Sequence, residues 1–212
     1  IGADGLVFLL SSEVADFQMR IFNSDGSEAE MCGNATRCMA RYVYEYGLTN
    51  KTKVTLETKA GIITPELIFV DGALSTIRVD MGQPRLKPSE IPVISSANEQ
   101  VVNDLLVVEG KEYYITCVSM GNPHCVLFVD QIDDVDLSSI GPMIETHPAF
   151  PRKINVEFVE VINRQKVRMR VWERGAGITM ACGTGACATL TAGVLNGKID
   201  RQAIIELDGG EL

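Results

Sequence analysis

Runs of β-branched and aromatic residues bounded by turn formers recur along the whole chain and predict strands. In the first part they cover residues 6–10, 17–22, 53–58, 62–70 and 74–81. After a connector containing Pro84, Pro88 and Pro92, the pattern resumes at 105–109, 112–119, 125–129, 156–162, 166–172 and 203–207. Two segments carry helical spacing instead. Ala35, Cys38, Met39, Tyr42, Val43 and Tyr46 form an apolar stripe with Gly47 as a C-terminal stop. Cys187, Leu190, Thr191 and Val194 repeat it before Gly197. A shorter helix is expected over 137–146, although Gly141 and Pro142 interrupt it.

The chain aligns on itself at a shift of 150 residues, which sets Phe17-Gln18-Met19-Arg20-Ile21-Phe22 on Val167-Arg168-Met169-Arg170-Val171-Trp172 and Met31-Cys32-Gly33-Asn34 on Ala181-Cys182-Gly183-Thr184. Each half reads strand, glycine-containing loop, Cys-Gly, helix. Two pseudo-symmetric domains are therefore expected, 1–81 and 82–212. By the same arithmetic roughly 40 residues are expected ahead of Ile1 and a strand of roughly 15 to 20 residues after Leu212. The fold class expected is α/β (α+β), each domain a mainly antiparallel sheet wrapped around a central helix.

Composition narrows the function. A net charge of -9 repels polyanions, so nucleic acid is not an expected partner. No apolar run reaches the roughly 20 residues of a membrane span. Six cysteines in 212 residues are too sparse for a disulfide scaffold. The reading is a cytoplasmic, globular protein with no membrane partner.

Cys32 and Cys182 stand just ahead of the two helices, where unpaired N–H groups and the positive end of the dipole stabilise an anion. A thiol there has a lowered pKa and is a usable base or nucleophile. A single cysteine is more often a small buried hydrophobe, but two at equivalent helix starts reverse those odds. The glycine after each removes the Cβ that would keep a ligand from the backbone, leaving N–H groups able to take a carboxylate. Two thiols serving one bound carboxylate suit removal of a proton from the adjacent carbon on one face and delivery on the other. Cys38, Cys117, Cys125 and Cys187 read as packing residues. No metal is expected, since no Cys-x2-Cys pair occurs and there are two histidines. His124 could partner a nucleophilic cysteine, which would leave the second helix-start cysteine without a purpose. Gly121-Asn122-Pro123-His124 is a turn signal that also brings an amide and an imidazole to a loop. Arg174 in the loop after residue 172 could hold a second carboxylate, or form a solvated ion pair.

These residues also carry a resemblance. The stretches 23–28 and 31–38, Gly121-Asn122-Pro123-His124, Asn155-Val156-Glu157-Phe158 and 172–185, with Gly2-Ala3-Asp4-Gly5 at the front, resemble the diaminopimelate epimerase family over nearly the whole chain. The resemblance implies cofactor-independent interconversion of LL- and meso-diaminopimelate in lysine and peptidoglycan-precursor biosynthesis, with the site in a cleft between two α/β domains. It implies Cys32 and Cys182 as base and acid. It implies Gly33, Asn34, Gly183 and Thr184 as the helix-start amides holding the reacting carboxylate. Asn23, Asn122, Asn155 and Arg174 would bind the distal end of the substrate, while Glu173 and His124 would lie near the reacting centre. The family's Gly-Asn-Asp-Phe opening motif does not occur in this sequence. The partner expected is thus a small molecule, with a homodimer left open.

Three other readings belong beside it. Proline and hydroxyproline racemases use a similar cysteine pair but usually carry His after the first Cys-Gly, where this chain has Asn34. Cofactor-independent histidine racemases retain much of the pattern. An inactive amino-acid-binding fragment would keep the motifs and break no C–H bond.

Overall fold

The computed structural model describes residues 5–23, 26–29, 31–97 and 99–212. Ile1, Gly2, Ala3, Asp4, Ser24, Asp25, Glu30 and Asn98 lie outside the described residues, and with them most of the Gly2-Ala3-Asp4-Gly5 and Ser24-Asp25 motif positions. The chain divides into two compact units, Ile1–Met81 and Gly82–Leu212.

The first unit contains β1 (Gly5–Leu10), β2 (Phe17–Asn23), β3 (Glu28–Ala29), α1 (Gly33–Glu45), β4 (Leu56–Thr58), β5 (Gly61–Ile63), β6 (Glu66–Val70) and β7 (Ala73–Arg78). The order β1-β2-β4-β5, with β3 also on β2, makes one sheet, and β6-β7 forms a separate hairpin. The continuous strand expected over 62–70 is broken. Pro65 has no N–H for a ladder, and its carbonyl instead accepts Val54 N at 3.1 Å, so β5 and β6 enter different sheets. The strand expected over 53–58 is likewise cut to Leu56–Thr58, with only an isolated bridge from Lys53 to Glu66 before it.

The second unit contains β8 (Asp104–Val108), β9 (Lys111–Ser119), β10 (Pro123–Val129), α2 (Leu137–Glu145), β11 (Asn155–Asn163), β12 (Lys166–Glu173), β13 (Gly177–Thr179), α3 (Gly183–Leu195), β14 (Ile204–Leu207) and β15 (Gly210–Glu211). Its sheet runs β15-β14-β12-β11-β10-β9-β8, with β13 on β12. The central pair β10 and β11 is parallel and buried on both faces, which is why these strands read as apolar runs rather than alternations. Successive residues serve opposite cores. Cys125, Leu127, Val156 and Phe158 pack with Leu137 and Ile144 of α2, whereas Val126, Val159, Met169 and Val171 pack with Ala186, Ala188 and Ala192 of α3.

The internal repeat holds at the level of hydrogen-bonded register. Leu6↔Phe22 and Val7↔Ile21 in the first unit match Val156↔Trp172 and Glu157↔Val171 in the second. Ile21↔Ala29 matches Val171↔Thr179, and α1 and α3 each contain 13 residues. Every one of these positions is displaced by 150.

Both helical stripes need correction. In α1 the buried residues are Gly33, Thr36, Met39, Ala40 and Val43. Tyr42 and Tyr46 are exposed and stack on each other, and Cys38 is exposed as well, so it does not pack in the core. In α3 the buried face is Gly185, Ala186, Ala188, Thr189, Ala192 and Gly193, while Cys187, Leu190, Thr191 and Val194 are only half-buried. Small residues win that face because the helix backbone lies close to its neighbours: a Cβ at Gly193 would collide with the Ile199 side chain. The helix over α2 forms despite Gly141-Pro142. Asp136 caps it, accepting Ser139 N and both serine hydroxyls. Gly141 is there for close approach, since a Cβ would meet the Trp172 ring at 2.7 Å.

Candidate active site

Cys32 is the N-cap of α1 and Cys182 the N-cap of α3, both with extended backbone (φ -141° and -130°). The extended cap followed by glycine turns the chain into the helix and leaves the sulfur beside first-turn N–H groups that have no carbonyl partner within the helix. At Cys182 one such bond forms: Gly185 N donates to Sγ at 3.3 Å. At Cys32 the side chain makes no cap bond. Its carbonyl accepts both the Thr36 N–H and the Thr36 hydroxyl at 2.9 Å, and Arg37 donates to Asn34 Oδ1 at 2.6 Å. Gly33 starts α1 and Gly183 and Thr184 start α3.

Asn23 closes the β2–β3 turn, donating from its side chain to Ser27 Oγ at 3.0 Å and from its backbone to Ser27 O at 2.8 Å. In the second unit the predicted residues converge. His124 is the second residue of β10, and its Nδ1 lies 2.6 Å from Glu157 Oε1 and its Nε2 3.0 Å from Asn122 Oδ1. Asn122 Nδ2 donates to Thr184 Oγ1 at 3.2 Å, and that hydroxyl lies 3.5 Å from Cys182 Sγ. Asn155 sits opposite His124 in the β10–β11 ladder. Its amide donates to Pro123 O at 2.7 Å and accepts from Arg174 N at 2.9 Å. It therefore staples the His124 turn to the Arg174 loop. The Arg174 guanidinium is exposed and donates to Arg152 O at 3.2 Å. The Thr179 hydroxyl donates to Glu173 Oε1. Glu145 on α2 steadies the same loop, accepting Trp172 Nε1 at 2.7 Å and Gly175 N at 3.1 Å.

The electrostatics are those of a buried, anionic cluster. Burial holds Glu173 above the ordinary carboxylate range, and the charge of Glu157 adds to this against the Thr179 hydroxyl bond. Burial first, then Glu173 and Glu157, push the Cys182 thiol up, while Thr184 and the Gly185 N–H pull the other way. Cys182 thus rests as a neutral thiol, and the lowered pKa expected of a thiol at a helix start is overturned here by burial and the two carboxylates.

Glu157 was legible only as a motif letter, and no role follows for it from the pattern. It is fully buried, and its Oε2 has no hydrogen-bond partner among the described residues. The signal was a charged residue inside an otherwise apolar run, Val156-Glu157-Phe158-Val159. Among the described residues, no cluster of three or more His, Cys, Asp or Glu is arranged to hold a metal ion, and no helix is long and apolar enough to cross a membrane.

Comparison with known proteins locates this arrangement. The diaminopimelate epimerase family profile matches residues 1–87 and 116–212. Diaminopimelate epimerases of Acetivibrio thermocellus and Pelotomaculum thermopropionicum are 57% and 56% identical over 212 residues, covering all of this chain and 75% of theirs. That of Methanococcus maripaludis is 54% identical and covered to 76%. Among solved structures, a hydroxyproline epimerase from Agrobacterium vitis superposes with a TM-score of 0.73 at 18% identity, covering 99% of this chain and 65% of its own. The Bacillus anthracis phenazine biosynthesis protein of the PhzF family does so at 0.70 and 23%, covering 99% and 75%. These two share the α/β fold. With a family match over most of its length and relatives more than half identical along all of it, the chain belongs to the diaminopimelate epimerase family.

Proposed function

We propose that this protein interconverts LL- and meso-2,6-diaminopimelate, with Cys32 and Cys182 as the acid–base pair. The observation that carries the reading is the pair of N-cap cysteines at register-equivalent positions of a duplicated scaffold, each followed by glycine at a helix start. An α-proton next to a carboxylate is weakly acidic, so the carbanion needs its charge stabilised. Helix N-termini directed at the carboxylate supply preorganised N–H donors for charge that develops in the transition state. In this reading Gly33, Asn34, Gly183 and Thr184 supply those amides. A thiolate takes the α-proton from one face while the opposite thiol gives its proton to the other, and the roles exchange on the return. Cys182, resting neutral, is the donor in the direction that begins with Cys32 as base. Asn23, Asn122, Asn155 and Arg174 are assigned to the distal carboxylate and amino group, Asn155 acting by holding the other two loops. His124 and Glu173 shape the charge around the reacting carbon. The same reading puts the enzyme in the cytoplasm, on a route to lysine and peptidoglycan precursors, with a homodimer left open.

The test is NMR of LL-diaminopimelate incubated with the protein in heavy water. Appearance of the meso isomer with deuterium at a single α-carbon supports the reading. Binding without exchange would leave an amino-acid-binding protein, and inversion of proline or histidine in its place would reassign the substrate.

A further inference from the structure

Five side chains of the second unit form an unbroken chain of polar contacts that ends on a cysteine sulfur. Glu157 Oε1 meets His124 Nδ1 at 2.6 Å, His124 Nε2 meets Asn122 Oδ1 at 3.0 Å, Asn122 Nδ2 meets Thr184 Oγ1 at 3.2 Å, and Thr184 Oγ1 meets Cys182 Sγ at 3.5 Å. His124 and Glu157 are fully buried, so water does not enter the link between them.

The polarity of this chain is not arbitrary. Asn122 Oδ1 can only accept, so the proton between it and His124 resides on Nε2. Nδ1 and the Glu157 carboxyl then share the remaining proton. Asn122 must present its amide N–H to Thr184, whose oxygen accepts, and the Thr184 hydroxyl proton is left to point at sulfur. A bare Nε2 would reverse every link, since Asn122 would turn its amide to the ring and draw the hydroxyl proton to its own oxygen.

The geometry points to the Thr184 hydroxyl as a directed hydrogen-bond donor to Cys182, held in that sense by Glu157 and His124 acting through Asn122. Thr184 and Glu157 are positioning residues in this scheme, since neither transfers the substrate proton. The function of the relay is to lower the cost of forming a thiolate at a sulfur that burial and two carboxylates disfavour. The Gly185 N–H at 3.3 Å supplies a second donor, but a backbone group cannot be switched. The oxygen of Glu157 without a partner fits an anchor held for its charge and proton rather than for packing.

This inference rests on reading Cys182 as an acid–base group, but its test reads the thiol without substrate. The rate of Cys182 alkylation by iodoacetamide at constant pH, followed on its peptide by mass spectrometry, is proportional to the thiolate fraction. Thr184→Val is nearly isosteric and should lower that rate about tenfold, the size expected for one hydrogen bond to a charged group, while Thr184→Ser retains it. In an Asn122→Asp background both side-chain oxygens accept, the hydroxyl turns away from sulfur, and Thr184→Val should change nothing further. With only two histidines in the chain, nitrogen-15 NMR of the labelled ring reads the other end directly, and His124 Nε2 should carry the proton. Equal alkylation rates in the wild type and Thr184→Val, an undiminished valine effect in the Asn122→Asp background, an unreactive wild-type Cys182, or a bare Nε2 would each overturn the relay. Loss of epimerisation with these four results intact would instead count against the proposed reaction.

Discussion

Gly185 lies in the first turn of α3, where alanine is the better helix former, so its glycine needs a local cause. A Cβ there would fall 2.8 Å from Glu157 Oε1, 3.2 Å from Cys182 Sγ and 3.3 Å from Cys182 Cβ. Non-bonded contact is comfortable from about 3.5 Å, so Gly185→Ala must push the carboxylate by about 0.7 Å and the sulfur by about 0.3 Å. Helix propensity returns about 1 kcal/mol, while overpacking costs about 1–3 kcal/mol. The net loss of stability is then about 0–2 kcal/mol, small enough to leave the protein folded. Turnover should suffer more, because a misplacement of about 1 Å near reacting groups can cost about 100-fold; the expectation is a fall of about tenfold or more. Gly33→Ala is the control for stability, since its Cβ would meet only the flexible thioether end of Met81 at 3.3 and 3.4 Å. Urea unfolding and heavy-water turnover measured on the same preparations check both numbers. A folded Gly185→Ala protein with turnover within about twofold of wild type would refute the argument that this close approach holds the thiol in place.

Replacing Cys182 or Cys32 singly by alanine should abolish inversion while leaving slow solvent exchange of opposite isomers. Retained inversion by either variant, read by isomer ratio in heavy water, removes them as obligatory partners. Glu173 is held above the ordinary carboxylate value of 4.5, chiefly by burial, so its contribution to stability is complete below that value and is lost as pH rises through the raised one. Glu173→Gln should therefore remove a mildly acidic inflection from the pH dependence of urea unfolding. Asp16 behaves oppositely: its bond from Lys51, with the Thr55 N–H and hydroxyl at 2.9 Å, lowers it from 3.8. Its stabilisation is present above that value and lost as pH falls through the lowered one, so Asp16→Asn should cost about 1–2 kcal/mol at neutral pH and flatten the acid limb.

The helix starts at Cys32 and Cys182 were readable because cap, glycine and periodicity coincide in a few consecutive residues. The strands were readable for the same local reason, and the repeat survived because β2 and β12 preserve alternation along with Met19 and Met169. The exposed side of α1 was not readable: Tyr42 and Tyr46 are apolar enough to extend the stripe, yet they find each other instead of the sheet. In α3 the buried face is made of glycine, alanine and threonine, residues whose burial depends on how near the backbone comes. That nearness is tertiary information. Pro65 announced a break but not that its two sides would join different sheets. The polar chain beneath α3 joins residues 122, 124, 157, 182 and 184, and no local window contains them all.

Register equivalence also makes each unit a naturally occurring variant of the other. Shifted by 150, position 185 answers to 35 and position 157 to 7, where the first unit carries Ala35 and Val7. The same strand pairing and the same thirteen-residue helix have therefore already accepted a methyl group where the second unit needs bare backbone, and an apolar side chain where it keeps a carboxylate. The frame that positions a cysteine does not require the buried charge, which stands in the second unit alone. The two matched mounts thus carry different surroundings: Glu173 and Glu157 act on Cys182 where the first unit has Asn23 and Val7, so the acidity of that thiol can be altered by mutation within its own unit.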